Sequence, residues 1–355
     1  MKTTSLSIAN YCVPCHSFCR YCLLASCGKA TGVDYKAGEA LGGRIIREMK
    51  EARPDLNCSY YIGYCMDTPD LQEFLRFNRE YQGPAAKFLQ MNGFAFREEP
   101  ELAELMESIR ENGVELIDLT FYGLEEYHDR FAGRKGDFRF LLRMLDQAVK
   151  AGLQVNVSIP LIRENLSQIP ELYEMLSVYP LYRCACFLPH SKGRGSTISE
   201  QRITKQEFEQ LPEEIRKTFS RMKHRTEAEW LVSGELREQM VNRSLSLVLT
   251  PDNFEKYSRM SAAEILEDLE AMDDRYLKEM LPVQELARMY GDQENQQLFR
   301  IRDLALIWQQ RYISENGNRI YDMHDETHSF SVHLRTDELL INRMVVDSED
   351  GKDKD

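Results

Sequence analysis

The sequence predicts an α/β protein. Its core is a parallel sheet with helices outside, curled into a partial (β/α)6 TIM-like barrel, and a small C-terminal α+β extension follows. Three observations lead there. Strand-like and helix-like segments alternate six times between Ser5 and Leu188, at roughly the 30-residue period of βαβ units. A loop carrying three closely spaced cysteines follows the first of these strands, and ligands of such sheets collect at the carboxyl ends of the strands. After about Thr197 the chain becomes charged and mostly helical. These breaks divide it into a barrel over 1–197, an extension over 198–346 and a polar, disordered tail over 347–355.

The first strand is read from Ser5 to Val13, with Leu6, Ile8 and Tyr11 in loose alternation. Ala37 to Arg53 carries Leu41, Ile45, Ile46 and Met49 at helical spacing, and Pro54 follows where a helix ends. Cys58 to Cys65 is the second strand. Thr68 and Pro69 then read as an N-cap and a first-turn proline opening a helix through Leu71, Phe74 and Leu75. Ala86 to Met91 is the third strand, closed by Asn92-Gly93. Leu102, Leu105, Met106 and Ile109 form a helical stripe stopped by Gly113. Val114 to Phe121 is the fourth strand. The stripe from Phe138 to Val149 ends at Gly152, and Leu153 to Ile159 alternates as the fifth strand, up to Pro160. Leu172 and Leu176 mark another helix, and Tyr182 to Leu188 is the sixth strand. In the extension, Leu245, Leu247 and Leu249 alternate before a turn at Thr250-Pro251-Asp252-Asn253. Trp308 lies in a helix with Leu304, Leu306 and Ile307 and reads as core packing.

Composition narrows the function. The 355 residues are 43% hydrophobic with a formal charge of −13. An acidic chain is a poor partner for nucleic acid, whose phosphates need a basic surface. No apolar run approaches the roughly 18 residues of a membrane helix. Met1 to Asn10 lacks the apolar stretch of a signal peptide. The nine cysteines therefore read as metal or redox sites in a cytoplasmic protein.

Cys15, Cys19 and Cys22 stand at C-x3-C-x2-C spacing with Tyr21 before the last. Three thiolates on one short loop suit three irons of a cubane, and Fe–S clusters usually take four cysteines. The fourth iron then keeps an open position. Cys12 extends the run to C-x2-C-x3-C-x2-C, which raises a four-cysteine zinc site as the alternative. Zinc ribbons space their two pairs by roughly 15–20 residues, and the bacterial ferredoxin run has another order. Cys12 reads as a packed or spare thiol on the entering strand. The stretch Cys15-His16-Ser17-Phe18-Cys19-Arg20-Tyr21-Cys22 resembles the cluster loop of radical S-adenosylmethionine (radical SAM) enzymes. That resemblance implies a [4Fe-4S] cluster on Cys15, Cys19 and Cys22, with S-adenosylmethionine (SAM) on the open iron and Tyr21 beside it.

The resemblance extends over roughly Ser5 to Thr197. Leu89-Gln90-Met91-Asn92-Gly93 is similar to the family's third-strand "TNG" stretch. Leu119-Thr120-Phe121-Tyr122-Gly123 resembles its "S-x-D-G" strand end, so Asn92 and Thr120 are implied SAM-site residues. Tyr127 to Phe138 resembles a loop of the peptide- and protein-modifying branch, and Pro189 to Gly195 the sixth-strand "G-R-G" end. Two departures stand out. Where the family has "G-G-E-P", this chain has Gly63-Tyr64-Cys65-Met66-Asp67-Thr68-Pro69. Either Asp67 supplies a carboxylate to the SAM amino group, or the carbonyls of Tyr64 and Cys65 do so and Asp67 only favours the helix N-terminus. Relatives place an Arg near position 132, which is Ala132 here. Arg130 and Arg134 are the substitutes at hand, each also readable as a solvated arginine. The Leu249-Thr250-Pro251-Asp252-Asn253 hairpin resembles the start of a SPASM or twitch extension, yet no cysteine follows Cys186 to hold auxiliary clusters there.

Other groups carry weaker signals. Cys184 and Cys186 share one face of the sixth strand. They read as packed residues, or alternatively as thiols facing substrate. His324 and His328 lie four apart in an acidic segment and read as solvated. The resemblance implies a radical SAM enzyme fed by a reductase such as flavodoxin or ferredoxin, acting on a peptide or protein side chain. The alternatives are a small-metabolite substrate, or a non-catalytic iron–sulfur or electron-transfer module on the same fold.

Overall fold

The computed structural model describes residues 2–22, 30–62, 65–82, 87–191, 193–219, 224–233, 236, 242–279 and 281–316. Tyr64, Cys27, Lys192, His324, His328 and the segment 347–355 lie outside the described residues.

The chain runs β1 (Lys2–Asn10), α1 (Tyr35–Ala52), β2 (Asn57–Tyr61), α2 (Leu71–Gln82), β3 (Phe88–Gln90), α3 (Glu99–Glu111), β4 (Leu116–Thr120), α4 (Glu125–Ala132), α5 (Asp137–Lys150), β5 (Gln154–Pro160), α6 (Ile169–Ser177) and β6 (Arg183–Phe187). This is the expected α/β partial barrel, with all six strands parallel to their neighbours. The ladder is in two pieces: β3-β4-β5-β6 form one sheet in chain order, and β2 and β1 belong to another. The extension adds α7 (Lys205–Glu209), α8 (Glu213–Thr218), β7 (Arg225–Thr226), α9 (Glu227–Val232), β8 (Asn242–Leu249), α10 (Pro251–Arg259), α11 (Ala262–Glu279), α12 (Val283–Tyr290), β9 (Leu298–Phe299) and α13 (Ile301–Asn316).

Three readings need correction. The boundary at 197 does not end the barrel sheet, because β8 pairs in parallel with β1 from Lys2↔Asn242 to Asn10↔Leu249. It covers the β1 edge opposite β2, and an uncovered parallel edge would leave a row of unpaired backbone groups. No hairpin follows β8: the Asn253 side chain accepts from the Thr250 N–H at 2.9 Å, and the chain enters α10. The segment from Tyr127 to Phe138 is not one loop: Tyr127 to Ala132 lie in α4, which ends at Gly133 in the left-handed region (φ 63°), and Asp137 and Phe138 open α5.

Each sheet is apolar on one face and polar on the other. Ile117, Leu119, Val155, Val157, Ile159 and Cys186 join one core beneath α3, α5 and α6. Leu6, Ile8, Leu245, Leu247 and Leu249 join a second core beneath α1 and α11. The alternation of side chains across a strand puts Asp118, Thr120, Asn156 and Ser158 on the inner face of one sheet, and Ser5, Ser7, Ser244 and Ser246 on that of the other. Ser5 donates to Ser244 Oγ at 2.7 Å, and Ser158 to Asp118 Oδ1 at 3.0 Å. Barrel interiors are usually filled by branched apolar residues; this one is lined with hydrogen-bonding groups.

The extension is tied down by buried charge. Asp303 on α13, fully buried, meets Arg300, Arg202 and His190, the last just beyond β6. Burial opposes the shift, but Arg300, His190 and Arg202 together hold the Asp303 carboxyl well below the usual carboxylate range.

Candidate active site

The cysteine loop is held by backbone bonds at the carboxyl ends of the strands. His16 N–H donates to Gly93 O at 2.9 Å, Phe18 N–H to Ala132 O at 2.6 Å, Arg20 N–H to Phe131 O at 3.0 Å, and Arg194 N–H to Cys22 O at 2.9 Å. The last turn of α4 thus leaves two carbonyls free to dock the loop, which is normal for a helix C-terminus. Gly93 sits at φ 84°, and a Cβ there would lie 2.1 Å from Cys15 Sγ. Both facts demand glycine at this turn.

Cys15, Cys19 and Cys22 come together, within electrostatic reach of one another. Burial pushes the Cys19 thiol up to about 12. Its sulfur lies 3.1 Å from the Tyr122 hydroxyl. Cys15 is held below its ordinary value, chiefly by a hydrogen bond from Cys65, whose own thiol that pairing pushes up. Cys65 is buried and also reaches Gly93 O at 3.3 Å. Cys12 stands apart, packed against the core under α1, and burial raises its thiol to about 12.

Among the described residues no three His, Cys, Asp or Glu side chains are placed to hold a single metal ion. A cubane makes a different demand, since each thiolate binds its own iron. Three neighbouring sulfurs on a loop cradled against a required glycine fit that demand.

The implied SAM residues divide. Tyr21 packs edge-on against Tyr122, with ring centroids 5.5 Å apart, and against Phe131 and Phe187 at 5.8 and 6.2 Å. Burial raises its phenol, while hydrogen bonds to Tyr122 and Thr120 oppose the shift. Asn92 clasps the backbone of Thr120: its Oδ1 accepts from the Thr120 N–H at 2.6 Å, and its Nδ2 donates to Thr120 O at 3.0 Å. Asp67 has partners of its own, accepting from the Ala95 N–H at 2.7 Å and pairing with Arg97. Arg130 is exposed beside Glu126. Arg134 is not solvated: it stacks 3.6 Å from the Phe96 ring centroid, donates to Phe94 O and pairs with Asp137.

Cys184 and Cys186 turn away from this site. Their registered neighbours Val157 and Ile159 lie in the outer core, Cys186 hydrogen-bonds with Thr218, and Phe187, one residue on, meets Tyr21. They are packed residues, as the commoner reading held. Tyr122 and the Cys65 thiol were missed. Tyr122 replaces the Asp of "S-x-D-G", and that departure was the available signal. His128, fully buried, fixes this strand end by accepting from the Tyr122 N–H at 3.1 Å, with Asp137 on its other nitrogen.

Curated relatives include the Fe-coproporphyrin III synthase of Methanosarcina barkeri, 25% identical over 107 residues (30% of this chain and 27% of that protein). Another is the AdoMet-dependent heme synthase of Oleidesulfovibrio alaskensis, 27% identical over 150 residues (41% and 38%). The matched stretch is thus well under half of each relative. Among solved structures, Streptococcus suis SuiB bound to its precursor peptide SuiA gives a TM-score of 0.38 at 15% identity, over 54% of this chain and 40% of that one. Escherichia coli coproporphyrinogen III oxidase (HemN), a radical SAM enzyme, gives 0.39 at 15%, over 58% and 50%. Residues 10–176, which take in the cysteine loop and the strands from β2 to β5, match the Radical SAM superfamily. Residues 10–176 therefore form a Radical SAM domain, of a superfamily whose members use a [4Fe-4S] cluster and SAM.

Proposed function

We propose that this protein is a radical SAM enzyme that removes a hydrogen atom from a peptide or protein side chain. The observation that carries the reading is the convergence of Cys15, Cys19 and Cys22 above a polar barrel interior. When bound, the cluster and SAM supply a 5′-deoxyadenosyl radical once an electron arrives from a reductase such as flavodoxin or ferredoxin. The chain's own residues do the rest. Cys15, Cys19 and Cys22 hold the cluster, and Tyr122 donates to Cys19. Tyr21 and Thr120 border the SAM site, and Asn92 fixes the Thr120 backbone. With Asp67 engaged, the backbone carbonyl of Cys65 is the group that would take the SAM amino group. Asp67 acts at one remove, because Ala95 and Arg97 occupy its oxygens. The polar lining favours a substrate rich in hydrogen-bonding groups, as a peptide is.

A second reading has its own support: the matched curated proteins are named for haem and coproporphyrin synthesis, which favours a small tetrapyrrole substrate. Anaerobic reconstitution, chemical reduction and addition of SAM test the shared core of both. Steady release of 5′-deoxyadenosine is expected. A full cluster with no SAM cleavage would instead mark a non-catalytic iron–sulfur module.

A further inference from the structure

The inner face of the β3-β4-β5-β6 sheet carries an aligned polar row. Gln90 on β3 is registered with Asp118 on β4, Asp118 with Asn156 on β5, and Asn156 with Arg183 on β6. One row nearer the cysteine loop, Thr120 is registered with Ser158 and Ser158 with Ala185. The Tyr21 hydroxyl reaches Thr120, so this face looks toward the loop. Asp118 is buried and accepts from Ser158. The Asn156 Oδ1 atom is buried and has no hydrogen-bond partner among the described residues. A buried acceptor left without a donor costs free energy on the order of 1–3 kcal/mol, so its persistence calls for a donor that arrives with a ligand.

We propose that Asp118, Asn156 and Arg183 form a substrate subsite for a backbone amide of a peptide, a proposal that rests on the enzymatic reading above. The amide N–H meets Asn156 Oδ1 with Asp118 alongside, and the carbonyl accepts from Arg183. A trans peptide unit points these two groups in opposite directions. Asp118 and Arg183 flank Asn156 from the strands on either side, two spacings of about 4.8 Å apart. That separation suits one peptide unit lying over Asn156 with a hydrogen bond on each side. A lone ammonium would answer Asp118 but be repelled by Arg183, and a lone carboxylate the reverse. A neutral group that both donates and accepts answers the whole row.

Saturation-transfer NMR on the reconstituted full-length chain tests this without any turnover. The probes are N-acetylglycine N-methylamide, a neutral peptide unit, and propionate, a bare carboxylate. The diamide should be saturated by the wild-type protein, and its signal should fall by roughly fivefold or more in Asn156→Ala and Arg183→Met, the loss of about one hydrogen bond. Arg183 is exposed, so its variant retains the fold. Equal diamide signals in all three proteins, or saturation of propionate with a silent diamide, would overturn the subsite. Wild-type protein that saturates the diamide but never cleaves SAM keeps the subsite and removes the enzymatic reading. One that cleaves SAM but leaves the diamide unsaturated does the opposite.

Discussion

Cys15, Cys19 and Cys22 each have a stated environment, so their substitutions make sharp predictions. Alanine at any one should abolish the brown, oxygen-sensitive chromophore, whereas Cys12→Ala should leave it nearly intact because Cys12 packs in the α1 core. Iron analysis of the wild type should give about four atoms per chain, one cubane. Tyr122→Phe should keep the cluster and make it harder to reduce, because a donor to a ligand sulfur favours the added negative charge. For a bond worth about 1 kcal/mol the midpoint should fall by about 40 mV, read by redox titration with EPR. Asp118 gives a pH signature. Burial, partly offset by Ser158 and Arg183, raises its carboxyl to about 6. A carboxyl raised on folding contributes stability below its unfolded value near 4, and that contribution is lost as the pH climbs through about 6. Asp118→Asn should therefore gain on the wild type by about 2 kcal/mol between pH 4 and 7 in denaturation curves. The cysteines were legible in the sequence because metal ligation needs fixed residue types at fixed spacing. Tyr122 shows there only as a departure from the "S-x-D-G" end, and Cys65 only through its carbonyl, since nothing local marks a side chain that meets a ligand across two strand ends.

At the scale of elements, the end of β3 is the joint on which the site depends. Asn92 binds the Thr120 backbone from both sides, and Gly93 makes room for Cys15. Asn92→Ala should cost about 1–3 kcal/mol of unfolding free energy, with Asn92→Asp in between because it keeps the acceptor for the Thr120 N–H. The strands and their helices were readable because a buried parallel strand and an amphipathic helix write different periods. The α4 helix was read as a loop. It spans only Glu125–Ala132, and its buried face of Tyr127, His128, Phe131 and Ala132 mixes polar with apolar residues, which blurs the stripe.

For the whole molecule, the extension is part of the barrel in two places: β8 beside β1, and the Asp303 cluster against His190 and Arg202. No local pattern reveals that Leu245, Leu247 and Leu249 belong to the first strand's sheet, because pairing between distant strands is a property of the tertiary fold. A chain cut after 197 should be insoluble, its β1 edge bare, when expressed beside the full chain and compared by fractionation. Asp303→Ala leaves buried arginines without their counter-charge and should destabilise the protein by about 3–5 kcal/mol, measured by chemical denaturation.

The β1–β8 pairing also sets a clock. Ser5 and its partner Ser244 are 239 residues apart. A ribosome adding about 5–20 residues each second needs roughly 10–50 s to cover that distance. Throughout that interval β1 is without the partner β8 that it needs, and so late a closure makes for slow folding. The nascent chain, not the finished protein, is then the species most exposed to aggregation.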